Sequence, residues 1–123
     1  MEKKRNKVIN IGEEEYEMIL TTKAVKAISE RYIGMEKFGK WLIKIENFSI
    51  VLDEIVWLIT LLSNQSVLVH NLRHKDAPKN LLTEEYVELL AAPMELLAYK
   101  DIFTEAMLNG KLIDILNEFR GDS

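Results

Sequence analysis

His70 and His74 stand one helical turn apart in His70-Asn71-Leu72-Arg73-His74, the spacing a metal-binding pair needs. The acid that would accompany them in a hydrolytic zinc helix is missing, and Arg73 would repel a cation. Pro78 signals that the helix is ending, so both rings fall where a helix C-terminus favours positive charge. Two ligands do not make a site, and no metal is expected. Asp53 and Glu54 invite a general acid/base reading. Neighbouring residues diverge by about 100° on a helix, however, so these carboxylates would not converge on one substrate. Asp53 falls with Glu46, Thr60 and Asn64 on a strip we read as solvated, while Glu54 could pair with a lysine. Glu13-Glu14-Glu15 and Glu17 form an acidic run that lacks the ligand spacing and central glycine of a calcium loop. It reads as a charged edge that discourages sheet-to-sheet aggregation.

No glycine-rich phosphate loop, nucleophile elbow or Walker sequence is present, so neither catalysis nor a cofactor is expected. With no cysteine, disulfides, thiolate metal sites and thiol nucleophiles are excluded. Sixteen basic against twenty acidic residues give a net charge of −4, a balance against nucleic acid as the main partner. The basic opening Met1-Glu2-Lys3-Lys4-Arg5-Asn6-Lys7 carries no interleaved aromatics and reads as a disordered tail. The apolar run after it is too short for a signal peptide. Ile50 to Leu62 is apolar but carries Asp53 and Glu54, and reads as a core helix too short to cross a bilayer. A cytoplasmic location is expected.

What must position these residues is a helical frame. At 123 residues, 48% apolar and 29% charged, the chain has the composition of one folded domain. The expected fold class is α+β and predominantly α-helical, with an N-terminal β-hairpin packed on a bundle of about five helices. Residues 1–6 are the tail, 7–21 the hairpin and 22–120 the bundle. Val8 to Leu20 reads as two strands around Gly12, with Tyr16, Met18 and Leu20 on one face and Glu15 and Glu17 on the other. Thr21 or Thr22 caps a helix carrying Ala24, Val25, Ile28 and Tyr32, ended by Gly34.

From Phe38 a long helical pattern begins, as one helix or two. Trp41, Ile45, Phe48, Leu52, Ile55, Ile59 and Leu62 form a seam, and Ser63-Asn64-Gln65-Ser66 is a place to bend or stop. Residues 73–80 form a loop. Thr83 caps a helix whose expected core face is Tyr86, Leu89 and Leu90. Pro93 starts another, facing inward with Leu96, Leu97, Phe103 and Met107, and Gly110 precedes a last one over 111–119. A helix-turn-helix across residues 84–109 is rejected, because Glu95 and Asp101 suit a DNA groove poorly.

One strip on the long helix stands apart from its seam: Ile43, Ile50, Trp57 and Leu61. It either packs under the C-terminal helices or, if exposed, forms a surface for self-association or client binding with Trp57 as anchor.

Laid out in this order, the chain resembles the tail assembly chaperones of long-tailed phages and prophages of Gram-positive bacteria. The resemblance rests on the hairpin leading into Tyr16-Glu17-Met18-Ile19-Leu20-Thr21-Thr22-Lys23-Ala24, on the helix from Ala24 to Tyr32 followed by Gly34, and on Glu54-Ile55-Val56-Trp57-Leu58. Its fourth piece is the end pattern Leu81-Leu82-Thr83-Glu84-Glu85, Pro93-Met94-Glu95-Leu96 and Ala106-Met107-Leu108-Asn109-Gly110. It implies a non-enzymatic protein of the host cytoplasm that binds the tape measure protein and gives way to tail tube protein as the tube polymerises. The same surface could serve homo-oligomerisation, and no membrane or nucleic acid is involved. The alternative is a helical adaptor or regulatory protein of an unrelated bacterial pathway. A small metal-assisted hydrolase using His70, His74 and a nearby acid stands behind both.

Overall fold

The computed structural model describes residues 8–31, 48–108 and 114–115. In chain order these form β1 (Val8–Ile11), β2 (Glu14–Glu17), α1 (Thr22–Arg31), α2 (Phe48–Arg73), α3 (Glu84–Leu90) and α4 (Pro93–Leu108). The architecture is mostly helical with a two-stranded antiparallel hairpin, but it has four helices among the described residues rather than about five. Of the helix expected over 111–119, only Asp114 and Ile115 are described, and Ile115 packs half-buried on the core. The basic tail, Lys7, Tyr32, Gly34, Trp41, Ile43, Ile45, Glu46 and Gly110 lie outside the described residues, as does the side chain of Met107.

The hairpin turns on Gly12-Glu13, with Ile11 opposite Glu14, Ile9 opposite Tyr16 and Val8 opposite Glu17. Gly12 has φ +69°, and no other described residue has a positive φ. A glycine in that conformation at the first of two turn positions marks the II′ turn, whose twist matches that of the strands. Ile9 and Ile11 are fully buried, so the sheet face they share with Glu14 and Tyr16 looks inward. β2 ends at Glu17, earlier than the alternation predicts, because Ile19 donates its N–H to the Leu62 carbonyl at 3.2 Å and the chain turns onto α2. The alternation survives in burial: Met18 is buried and Leu20 half-buried. Thr21 is the cap of α1, accepting from Ala24 N–H at 3.1 Å while its hydroxyl donates to Gln65.

α2 is the central element. Ile55, Val56, Leu58, Ile59 and Leu62 are all nearly or fully buried and point in several directions, as expected of a helix surrounded by neighbours. Its 26 residues run through Ser63-Asn64-Gln65-Ser66 without a stop. Each polar side chain there except Ser63 has its own partner. Asn64 bonds the Leu82 backbone, Gln65 donates to the Leu61 carbonyl at 3.1 Å, and Ser66 donates to the Ser63 carbonyl at 2.9 Å. Thr60 is buried rather than on the solvated strip, because neighbours cover that side of the helix too, and Asn64 is half-buried; Asp53 is exposed. At this length α2 is long and apolar enough to cross a membrane, although 56% of the apolar window is buried inside the protein.

The seam is deepest in its C-terminal half. Ile55, Ile59 and Leu62 are fully buried, whereas Phe48 at its start is 53% exposed. On α4, Leu96 and Phe103 are buried as expected, and the Tyr99 ring lies tilted beside Phe103 with ring centres 5.6 Å apart. On α3 the expected face is wrong. Val87 is the fully buried residue, and Tyr86, Leu89 and Leu90 are exposed. Seven residues make barely two turns, so α3 can insert only a narrow stripe. Its flanks, Leu82 before and Ala91 after, supply the remaining buried contacts.

Candidate functional site

His70 and His74 stack, with ring centres 4.7 Å apart. His70 donates its Nε2 proton to the Ala77 carbonyl at 2.9 Å, which commits that nitrogen to closing the loop after α2. Ala77 in turn donates its N–H to the His74 carbonyl at 3.0 Å. The pair therefore finishes a helix and holds the turn that follows. Among the described residues there is no group of three His, Cys, Asp or Glu side chains placed to hold a metal ion.

Glu54 is paired with Arg31 rather than with a lysine. The guanidinium donates from Nε to Oε1 at 2.8 Å and from Nη2 to Oε2 at 3.0 Å, the forked geometry that a lysine cannot make. The same guanidinium lies 4.4 Å from the ring centre of Trp57, within cation–π range. Of the strip Ile43, Ile50, Trp57 and Leu61, Ile43 lies outside the described residues. Ile50 is 36% exposed, while Trp57 and Leu61 are half-buried against the core. The anchor expected of Trp57 is thus occupied by α1.

The exposed apolar surface lies elsewhere. Leu89 and Met94 are 74% and 76% exposed, and Leu90 is 47% exposed, forming a ridge across the end of α3 and the start of α4. The ridge sits on a firm base. Thr83 accepts from Tyr86 N–H at 3.1 Å as N-cap of α3, Ala91 donates back to the Val87 carbonyl at 2.9 Å, and Gly12 donates to the Leu90 carbonyl at 3.2 Å. Ile11 and Ala91 form an isolated antiparallel bridge, so the outer side of β1 is tied to the α3–α4 junction.

Beside the ridge lies a groove of about 750 Å³. Glu14 and Tyr16 of β2 line one side, the stretch 78–83 the other, with Val67 of α2 and Tyr86 of α3 completing it. The far wall is held by two asparagines. Asn64 donates to the Leu82 carbonyl at 2.9 Å and accepts from Leu82 N–H at 2.7 Å; Asn71 does the same for Lys79 at 3.0 and 2.8 Å. Seven helical residues rise about 10.5 Å, and three extended residues span roughly 10 Å. Residues 79 to 82 therefore lie stretched along α2 and antiparallel to it.

Among the lining residues Glu14 is the acid and Lys79 the cation. Further glutamates are exposed on the same elements, Glu13 and Glu15 on the hairpin and Glu84, Glu85 and Glu88 on α3. Burial raises the Tyr16 hydroxyl above its ordinary pKa of 10.0, reinforced by the neighbouring Glu14 carboxylate. Tyr99, whose hydroxyl donates to the Val8 carbonyl at 3.3 Å, is likewise raised by burial and then by the Glu95 charge.

No protein-family model, no curated protein and no solved structure matches the chain. Sequence periodicity missed both the ridge and the groove. Periodicity places Leu89 and Leu90 on a core face and does not single out Met94, and the groove joins segments more than sixty positions apart. One signal was available: asparagines at 64 and 71, seven apart on one helix face, with a proline-led stretch soon after.

Proposed function

We propose that this chain is a non-enzymatic tail assembly chaperone of phage or prophage origin, which holds the tape measure protein in the host cytoplasm until tail tube subunits replace it. The observation that carries the proposal is the ridge of Leu89, Leu90 and Met94, apolar and largely exposed on a fixed base. A long apolar client helix is held by laying its apolar face on such a surface, and leucine and methionine adapt to many facing side chains. Ile50 adds exposed apolar surface on α2, and Ile43, Trp57 and Leu61 remain the proposed flanks of that second contact, Trp57 being reached once Arg31 leaves its ring. Net negative charge keeps a loaded complex soluble. Several modest contacts, rather than one deep pocket, also suit a holder that must be displaced.

The test is co-elution of the purified chain with fragments of the tape measure protein. Leu89→Asp with Met94→Asp should abolish co-elution while leaving the far-ultraviolet spectrum unchanged. Undiminished co-elution by this folded double variant would remove the ridge from the site. Failure of the unaltered chain to take any fragment, with capture of one folded partner instead, would favour a helical adaptor.

A further inference from the structure

The hairpin has two edges of unequal fate. In the register Ile11–Glu14 and Ile9–Tyr16, closed by a two-residue turn, these pairs exchange the ladder hydrogen bonds. The backbone N–H and C=O groups of Glu15 and Glu17 then point away from β1. β1's outer side meets Ala91 and Leu90, but among the described residues no backbone group bonds to the outer side of β2. An unpaired strand edge is a template for another strand. This edge borders the groove, since Glu14 and Tyr16 line it and no residue of β1 does.

We propose that the outer edge of β2 and the adjoining groove dock an extended, lysine- or arginine-bearing segment of a partner protein, added to the hairpin as a third strand. Alternate side chains of such a strand would enter the groove over Val67 and Leu82, beside Tyr16. The others would stand on the opposite sheet face beside Glu15 and Glu17. Charge selects the occupant. Glu13, Glu14, Glu15 and Glu17 flank one side, and Glu84 and Glu85 in the first turn of α3 flank the far end. A second copy of this hairpin would set glutamates against glutamates, which is unfavourable, whereas a basic alternating segment meets opposite charges across the whole edge. This surface is distinct from the Leu89–Met94 ridge, and the inference does not depend on the client proposed above.

The probe is a fluorescein-labelled peptide of about eight residues alternating lysine and valine, long enough to cover a strand of this length. Anisotropy should rise saturably with the full chain, and affinity should fall at least about tenfold between low and high salt. Methylating alternate backbone nitrogens on the peptide face that meets β2 should abolish binding, and a glutamate–valine peptide should not bind. Glu15→Lys with Glu17→Lys should weaken binding about tenfold or more, and the Leu89→Asp/Met94→Asp variant should bind normally. Amide exchange at Glu15 and Glu17 should slow on saturation. Binding that survives backbone methylation, equal binding of the acidic peptide, or self-association that protects these amides without peptide would each overturn the proposal.

Discussion

Asn64 grips the backbone of Leu82 at both ends, donating to its carbonyl at 2.9 Å and accepting from its N–H at 2.7 Å. A carboxamide presents one donor and one acceptor side by side, so it pairs with a peptide group much as a neighbouring strand would. Asn71 repeats the arrangement on Lys79, two turns further along α2. Together they convert what would be a loose return from a long helix into a straight wall. Asn64→Ala should cost roughly 1–3 kcal/mol, since a part-buried donor and acceptor lose their partners, and Asn71→Ala, whose bonds are open to solvent, about 0.5–1. Urea denaturation would measure both. Amide exchange should accelerate at Leu82 in the first variant and at Lys79 in the second; no acceleration would mean that the wall stands without its clamps.

Gly12 sits under Tyr86. A Cβ built on Gly12 would come within 3.0 Å of the Tyr86 hydroxyl oxygen, and its φ of +69° disfavours any side chain. Gly12→Ala should therefore cost about 1–2 kcal/mol from the backbone alone, plus a contact penalty. Tyr86→Phe in the same chain should recover the contact part only. A double-mutant cycle would then give a favourable coupling of about 0.5 kcal/mol or more. Simple additivity would show that Tyr86 swings aside.

Arg31 shields Trp57 while gripping Glu54, and the two side chains of that ion pair are 36% and 15% exposed. At such exposure solvent screening keeps the pair modest. Arg31→Ala should cost about 1 kcal/mol in all, counting the ring contact. Arg31→Lys should recover less than half, having lost the fork. In a Trp41→Phe background, emission from Trp57 should shift to the red in Arg31→Ala; unshifted emission would place its shielding elsewhere.

The two raised tyrosines give an alkaline limit. A tyrosine whose native pKa stands above its unfolded value of 10.0 holds its proton more tightly when folded. The stability this brings is whole below pH 10 and is lost as pH rises through the native values. Stability measured by denaturation should thus fall above pH 10, with part of that fall removed by Tyr16→Phe and part by Tyr99→Phe. Ultraviolet titration should show phenolate absorbance appearing later in the native chain than in urea. Superposition of the two titration curves would contradict the assignment.

Much of the frame was legible without coordinates because it is written in local rules. Gly12 marks the hairpin turn, Thr83 and Pro93 mark helix starts, and the 3–4 spacing through Ile55, Ile59 and Leu62 marks the core side of α2. Each depends on residues within a turn or two of one another. Where the reading failed, the deciding neighbour was remote. Ser63-Asn64-Gln65-Ser66 reads as a break until Leu82 and Thr21 arrive to satisfy the side chains. Glu54 needs a cation, and only packing of α1 on α2 brings Arg31 rather than a lysine.

By itself, then, the chain's order of residues determined a hairpin followed by helices, the long central one, and the absence of thiol chemistry. Tertiary structure alone decided which apolar residues are left outside. Leu89 and Met94 are as hydrophobic as Leu62 and Met18, and periodicity cannot rank them. Their exposure follows from α3 being short and anchored through Val87, and from Ala91 bridging to Ile11. Burial is a property of the neighbours that arrive, and those neighbours come from positions far along the chain.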